Sequence, residues 1–252
     1  MFRMIIDAHA HLDEVESFGW EDTPDELIAL MDDAGIQKSV VTTYADEPGP
    51  EDGVERLKNY VAQYPDRFIG FPRMDPRYGD EAIDTFERMI IEEGMKGLKL
   101  HSVSNVSNPY ADFTLDILDK AAELDVPVLL HSGDSNFCLP RQIGEAAKQT
   151  DANLLLGHTG GFFNAQSAIE VAKEHENVYL DTSAFPYTKV LQDAINQLGA
   201  ERVIYGSDMP PANPKVELKK IEVLDLTDAQ REKVLCENIA GLLDLNVEGG
   251  EA

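Results

Sequence analysis

The amino-acid sequence predicts an α/β protein, a closed (β/α)8 barrel of the TIM type forming a single domain over residues 1–252. Eight short apolar runs rich in strand formers recur along the chain, and amphipathic stretches at helical spacing lie between them. The first run ends in His-Ala-His. A doubly wound open sheet would more naturally carry a glycine-rich turn there, to cradle a nucleotide phosphate.

The eight runs are RMIIDAHAH (3–11), QKSVVTTY (37–44), RFIGFPRM (67–74), MKGLKLHS (95–102), VPVLLHS (126–132), NLLLGHT (153–159), NVYLDTS (177–183) and RVIYGSD (202–208). Helical patterns cover 24–35, 80–94, 113–125, 140–150, 164–175 and 187–199. The first of these ends at Gly35, a residue suited to stop a helix. A last helix is expected over 227–245, with Thr227 as N-cap, and the final few residues read as a disordered tail. The glycine pair in HTGG (158–161) reads as a tight turn.

Composition narrows the function. With 43% hydrophobic residues the chain has ample material for a core. It holds no apolar stretch of the roughly 18 residues a membrane span requires. The N-terminal MFRMIIDAHAHL lacks a signal-peptide pattern, because Asp7 and His9 interrupt it, so a cytoplasmic protein is expected. The two cysteines, Cys138 and Cys236, are too few for a disulfide scaffold and are expected as free thiols; Cys138 reads as a small semi-buried residue near the barrel mouth. The net charge of −26 would repel nucleic-acid phosphates and anionic membranes but does not identify a substrate; a small molecule is the expected partner. So large an imbalance suits either a high-salt cytoplasm, where ions screen self-repulsion, or an ordinary acidic protein.

Five of the six histidines fall at C-terminal ends of predicted strands: His9 and His11 on the first, His101 on the fourth, His131 on the fifth and His158 on the sixth. His175 lies at a helix end and reads as a solvated residue. In a barrel, the C-terminal strand ends surround one mouth, where active sites form. Strand alternation would place Asp7, His9 and His11 on one face. Asp208 closes the eighth run and faces the same mouth. Each residue alone fits a structural role. Neutral imidazoles and a carboxylate converging on one concavity suit a divalent transition metal, zinc first.

With His-x-His on strand 1, His on strands 5 and 6 and Asp on strand 8, the chain resembles the amidohydrolase superfamily. The match is closest to its amidohydrolase-related branch, which includes amino-carboxymuconate-semialdehyde decarboxylase. The matching segments are IDAHAHL, GLKLHS, VPVLLHSG, LLLGHTGG, VYLDTSA, VIYGSDMP and a final-helix ENIAGLL with Asn238. The resemblance implies that His9, His11, His131 and Asp208 bind the metal and that His158 stands beside the metal-bound water or the substrate. Barrels of this type commonly pair through outer helices, so a homodimer is one expected arrangement.

A single bound Zn²⁺ would lower the pKa of its water to about 7, with Asp208 accepting the water proton and His158 polarising a carbonyl. That chemistry is hydrolysis of an amide, ester or lactone. The alternative is non-oxidative decarboxylation of an aromatic or unsaturated acid, with His158 and Asp208 handling a proton. Lys99 shares strand parity with His101, so both are expected to face the lumen, where Lys99 or His101 meets an anionic substrate group or Lys99 forms a structural ion pair. A second reading, implied by the superfamily, has Lys99 carbamylated and bridging two metals. Arg73 ends the third run and is expected either to bind a substrate carboxylate or to pair with Asp75. Tyr44, Asp181, Phe185 and Trp20 read first as ordinary packing or loop residues and second as candidates for shaping the pocket, and Asp181 could orient a ligand from behind.

Overall fold

The computed structural model describes residues 4–15, 20–44 and 50–247. All eight apolar runs contain a strand: Ile6–His11, Lys38–Thr42, Phe68–Gly70, Leu98–Leu100, Val128–Leu130, Leu154–Leu156, Val178–Asp181 and Val203–Ile204, here barrel strands 1 to 8. Strands 1 to 3 form one parallel sheet and strands 4 to 8 another, each in chain order.

Two seams join these sheets into a closed barrel. Bridges pair Arg73 with Lys99 and Ala10 with Met209. At the first seam Lys99 N donates to Pro72 O at 2.9 Å, and Met74 N donates to Lys99 O at 3.2 Å. At the second, Ala8 N donates to Tyr205 O at 3.0 Å, Asp208 N to His9 O at 2.7 Å and His11 N to Met209 O at 2.8 Å. A closed parallel barrel leaves no free sheet edge. A short antiparallel ribbon, Asp13–Val15 with Trp20–Asp22, follows strand 1. The Trp20 side chain and the C-terminal tail from 248 lie outside the described residues.

The expected helices appear at Pro24–Ala34, Asp80–Ile91, Asp112–Glu123, Pro140–Ala147, Gly161–Glu174 and Thr188–Leu198. Thr23 and Glu26 form a capping box at the first, and Gly35 closes it in the left-handed region at φ 73°. Thr227 caps the last helical segment through Gln230. That segment runs from Asp228 to Leu242 with a π-helical turn at Lys233–Glu237. Besides a single turn at Ser102–Asn105, two longer helices go beyond the sequence reading. Pro50–Gln63 buries Val54 and Leu57, and Pro214–Glu222 turns the charged Glu217 and Lys220 inward. Among the described residues, no helix is long and apolar enough to cross a membrane.

The apolar interior has two parts. An outer layer packs strand residues such as Val41, Leu100, Leu130 and Leu156 against the helices. Inside the barrel, Ile6, Ala8, Val40, Ile69, Leu129, Leu155 and Ile204 form a second cluster, closed from below by Cys236 and Ile239 of the C-terminal helical segment and Leu243 just after it. Both cysteines are buried and free, and burial pushes their thiols up, Cys236 to about 11.

Strand 1 departs from simple alternation. Asp7 pairs with Ser39 and Ala10 with Val41, so three residues on strand 1 advance while two advance on strand 2. The inserted residue places Asp7 on the face of Ala10, opposite the face of His11. The expected common face of Asp7, His9 and His11 therefore holds only for the two histidines. Asp7 instead accepts hydrogen bonds from Ser207 N at 2.9 Å and Ser207 Oγ at 2.5 Å, behind the mouth.

The barrel floor is a test of this packing. Ile239→Ala removes a fully buried side chain from beneath the lumen and is expected to lower unfolding free energy by about 2–5 kcal/mol in urea denaturation.

Candidate active site

His9 and His11 end strand 1, Lys99 lies within strand 4, and Asp181 ends strand 7. His101, His131, His158 and Asp208 follow strands 4, 5, 6 and 8. The barrel thus brings residues from opposite ends of the chain to one mouth. His158 and Asp208 sit at φ 60° and 61°, in the left-handed region. Thr159 and Ala184 share this conformation at φ 49° each; it is uncommon for any side chain and most so for a β-branched one. Backbone held this way at four mouth positions is the kind of strain that functional sites store.

His9 is wholly buried, and its Nδ1 lies 2.6 Å from Asp181 Oδ2. Ser183 Oγ donates to the same carboxylate oxygen at 2.7 Å, and Ser183 N donates to Oδ1 at 2.8 Å. Two glycines admit this pair. A Cβ at Gly206 would lie 2.2 Å from Asp181 Oδ1, and one at Gly157 would lie 3.2 Å from His9 Cε1. With Nδ1–H donated to Asp181, His9 presents Nε2 to the lumen. That nitrogen lies 3.2 Å from His11 Nε2, 3.7 Å from Asp208 Oδ1 and 3.0 Å from Lys99 Nζ. His11 Nε2 is 3.2 Å from Asp208 Oδ1. The His11 ring stacks on Tyr44 with centroids 4.6 Å apart and planes 13° from parallel.

Among the described residues, His9, His11 and Asp208 form a set whose ligand atoms lie within 4.8 Å of one another, spacing that can hold a metal ion. His131, expected beside them, is outside this set. It stacks on His101 with centroids 4.2 Å apart, and its Nδ1 lies 3.2 Å from His158 Nε2. His158 Nδ1 faces Ser183 Oγ at 3.1 Å. Ser183, which the sequence reading passed over, therefore touches both His158 and the Asp181–His9 pair. Its only sequence signal is its spacing, two residues beyond Asp181.

The electrostatics suit a cation. Burial drives the His9 imidazole well below its usual range, and the Lys99 ammonium adds to the shift. Burial likewise brings His11 down to about 4, against the pull of its hydrogen bond to Asp208. Burial and Arg73 bring His101 to about 3. Burial and the neighbouring His101 and His158 lower His131 as well. Burial of Asp208 opposes ionisation, but its hydrogen bond to His11 and the surrounding imidazoles outweigh that and hold the carboxyl below the usual range. Neutral imidazoles with an ionised carboxylate are the donors that a divalent metal takes.

The turn after strand 7 is clamped from outside. Lys220 Nζ donates to Thr182 O at 3.2 Å and Phe185 O at 2.8 Å, while Glu217 accepts from Ala184 N at 3.0 Å. Lys220 and Glu217 are ion-paired, and both are buried. Ser183, the remaining residue of this turn, is thereby held toward the histidines.

Arg73 donates to Tyr44 O at 2.5 Å and Ser104 Oγ at 2.7 Å, while the nearby acid Asp75 is bound by Arg77. Phe162 and Phe163, in the first turn of the helix Gly161–Glu174, and Tyr187, after strand 7, form an exposed aromatic cluster, and Tyr187 also meets the buried Phe185.

The Asp181 brace yields a direct expectation. Asp181→Asn should weaken divalent-cation binding by roughly 10–100-fold in a competition titration against a chromophoric chelator, with far-UV circular dichroism unchanged.

Comparison with known proteins agrees with this fold. The family model described as "Amidohydrolase" matches residues 6–245. A gamma-resorcylate decarboxylase of Polaromonas sp. strain JS666 is 23% identical over 288 residues, covering 89% of this chain and 88% of the relative. The crystal structure of a 2,6-dihydroxybenzoate decarboxylase with 2,6-dihydroxybenzoate superposes with a TM-score of 0.76 at 19% identity, over 96% of this chain and 99% of that one. A dihydroxybenzoic acid decarboxylase of Polaromonas sp. JS666, solved with manganese and the inhibitor 2-nitroresorcinol, also gives 0.76 at 19% identity, over 96% and 97%. By the extent of the family match, with the closed barrel and its histidine-lined mouth, this chain belongs to the amidohydrolase family of enzymes.

Proposed function

We propose that the protein is a metal-dependent decarboxylase acting on a small aromatic or unsaturated carboxylic acid. The observation that carries the metal part is the convergence of His9, His11 and Asp208. Decarboxylation takes precedence over hydrolysis because the relatives matched over most of their length are gamma-resorcylate decarboxylases. Hydrolysis of an amide, ester or lactone is the second reading, since it would use the same residues.

His9, His11 and Asp208 would hold the ion, and His131 stands one imidazole away through its contact with His158. A bound divalent cation supplies a Lewis acid that binds and orients an oxygen of the substrate. Zinc fits the N and O donors, and manganese is the ion solved with a relative. Lys99, His101 and Arg73, from the strand 3 and strand 4 side, meet the substrate's negative charge. Overall, the bond from carbon to the carboxylate breaks, CO₂ leaves, and the carbon takes a proton in its place. His158 and Asp208 handle that proton. Ser183 and the His131 contact orient the His158 ring for this work.

The acidic composition supports a further proposal, adaptation to a high-salt cytoplasm. Screening of the self-repulsion should then raise the thermal midpoint steadily as KCl increases from roughly 0.1 to 2 M; a flat or falling midpoint would refute it.

The functional test is release of CO₂ from 2,6-dihydroxybenzoate and related acids by protein loaded with manganese or zinc, run beside lactone and amide hydrolysis. Chelation should abolish turnover and metal return should restore it. His158→Asn should cut the rate by roughly 10²–10⁴-fold while leaving metal stoichiometry unchanged. Full turnover in chelator would overturn the metal reading, and hydrolysis without CO₂ release would replace decarboxylation by the second reading.

A further inference from the structure

His9 Nε2 has two claimants. Its ring partner Nδ1 is committed to Asp181, so Nε2 carries the one lone pair the imidazole can offer to the lumen. That nitrogen is the atom His9 contributes beside His11 and Asp208. Lys99 Nζ already lies 3.0 Å from it, at hydrogen-bond distance, in a side chain with no solvent exposure. A lone pair that accepts an ammonium proton cannot at the same time bind a metal.

The main chain cannot carry Lys99 away. Its residue pairs in register with Leu129 of strand 5, and it closes the seam to Arg73 through hydrogen bonds on both its N and its O. Only the side-chain torsions can withdraw the ammonium. Two cations sharing one buried nitrogen would also repel each other strongly in that low-dielectric setting.

We infer that Lys99 is a built-in competitor of the metal at His9 Nε2: it weakens metal binding, and occupancy by the ion turns its ammonium away from His9. This rests on the metal reading proposed above. It also separates two roles for Lys99 that the sequence leaves side by side. An ammonium displaced from His9 is available to a substrate carboxylate at the mouth. A carbamylated Lys99 would carry negative charge and would strengthen metal binding instead.

The test uses the full-length protein, metal-stripped and titrated with Zn²⁺ or Mn²⁺ against a chromophoric chelator, with stoichiometry from elemental analysis. Lys99→Met, which keeps the length and removes the charge, should bind the ion roughly tenfold more tightly or better than wild type. Lys99→Arg, which keeps the charge, should stay close to wild type. Lys99→Gln serves as a second neutral variant if the methionine form does not fold. Equal or weaker binding by the neutral variants overturns the inference, and weaker binding specifically would show Lys99 supporting the metal. If wild type binds no ion at either metal, the metal reading itself fails. If wild type binds and the neutral variants match it, only the role of Lys99 fails.

Discussion

The buried hydrogen bond between His9 Nδ1 and Asp181 Oδ2 is the contact on which the mouth of the barrel is organised. It ties strand 1 to strand 7 across the lumen and decides which imidazole nitrogen faces the other donors. Burying a carboxylate and an imidazole together is costly unless each finds a partner. Asp181 meets that condition with three: the His9 ring, the Ser183 hydroxyl and the Ser183 amide. The glycines at 157 and 206 give up side chains so that the pair can fit.

Support for this contact comes from two directions. Below it, a plug of apolar side chains fills the barrel and keeps water from the lower lumen. Around it, four residues hold left-handed backbone, each at a cost of about 1–3 kcal/mol that the surroundings must offset. Thr159 Oγ1 donates to Asp181 O at 2.7 Å, and the Glu217–Lys220 pair holds the turn that contains Ala184. The strained turns and the rigid clamp place Ser183 against both His9 and His158 at 3.0 and 3.1 Å.

Much of this was legible in the residue order. Parallel strands buried on both faces read as continuous apolar runs, so all eight were visible, and the barrel rule then brought His9, His101, His131, His158 and Asp208 to one mouth. Among the features that escaped, some did so for identifiable reasons. The extra residue in strand 1 reverses the facing of Asp7, and nothing in IIDAHAH marks it. The helix Pro214–Glu222 buries Glu217 and Lys220, which inverts the pattern by which a helix face is recognised. The position of His131 along the barrel follows from sequence, but its ring direction depends on side-chain contacts with His101 and His158 that no spacing rule contains.

The proposed function stands on one cation shared by His9, His11 and Asp208. An anomalous difference map from crystals grown with manganese or zinc, collected at the metal's absorption edge, tests it most directly. A strong peak is expected about 2.0–2.2 Å from the Nε2 atoms of His9 and His11 and from a carboxylate oxygen of Asp208, with the His9–Asp181 hydrogen bond intact. A map with no peak among these three side chains, or with His9 turned away from Asp181, would contradict it.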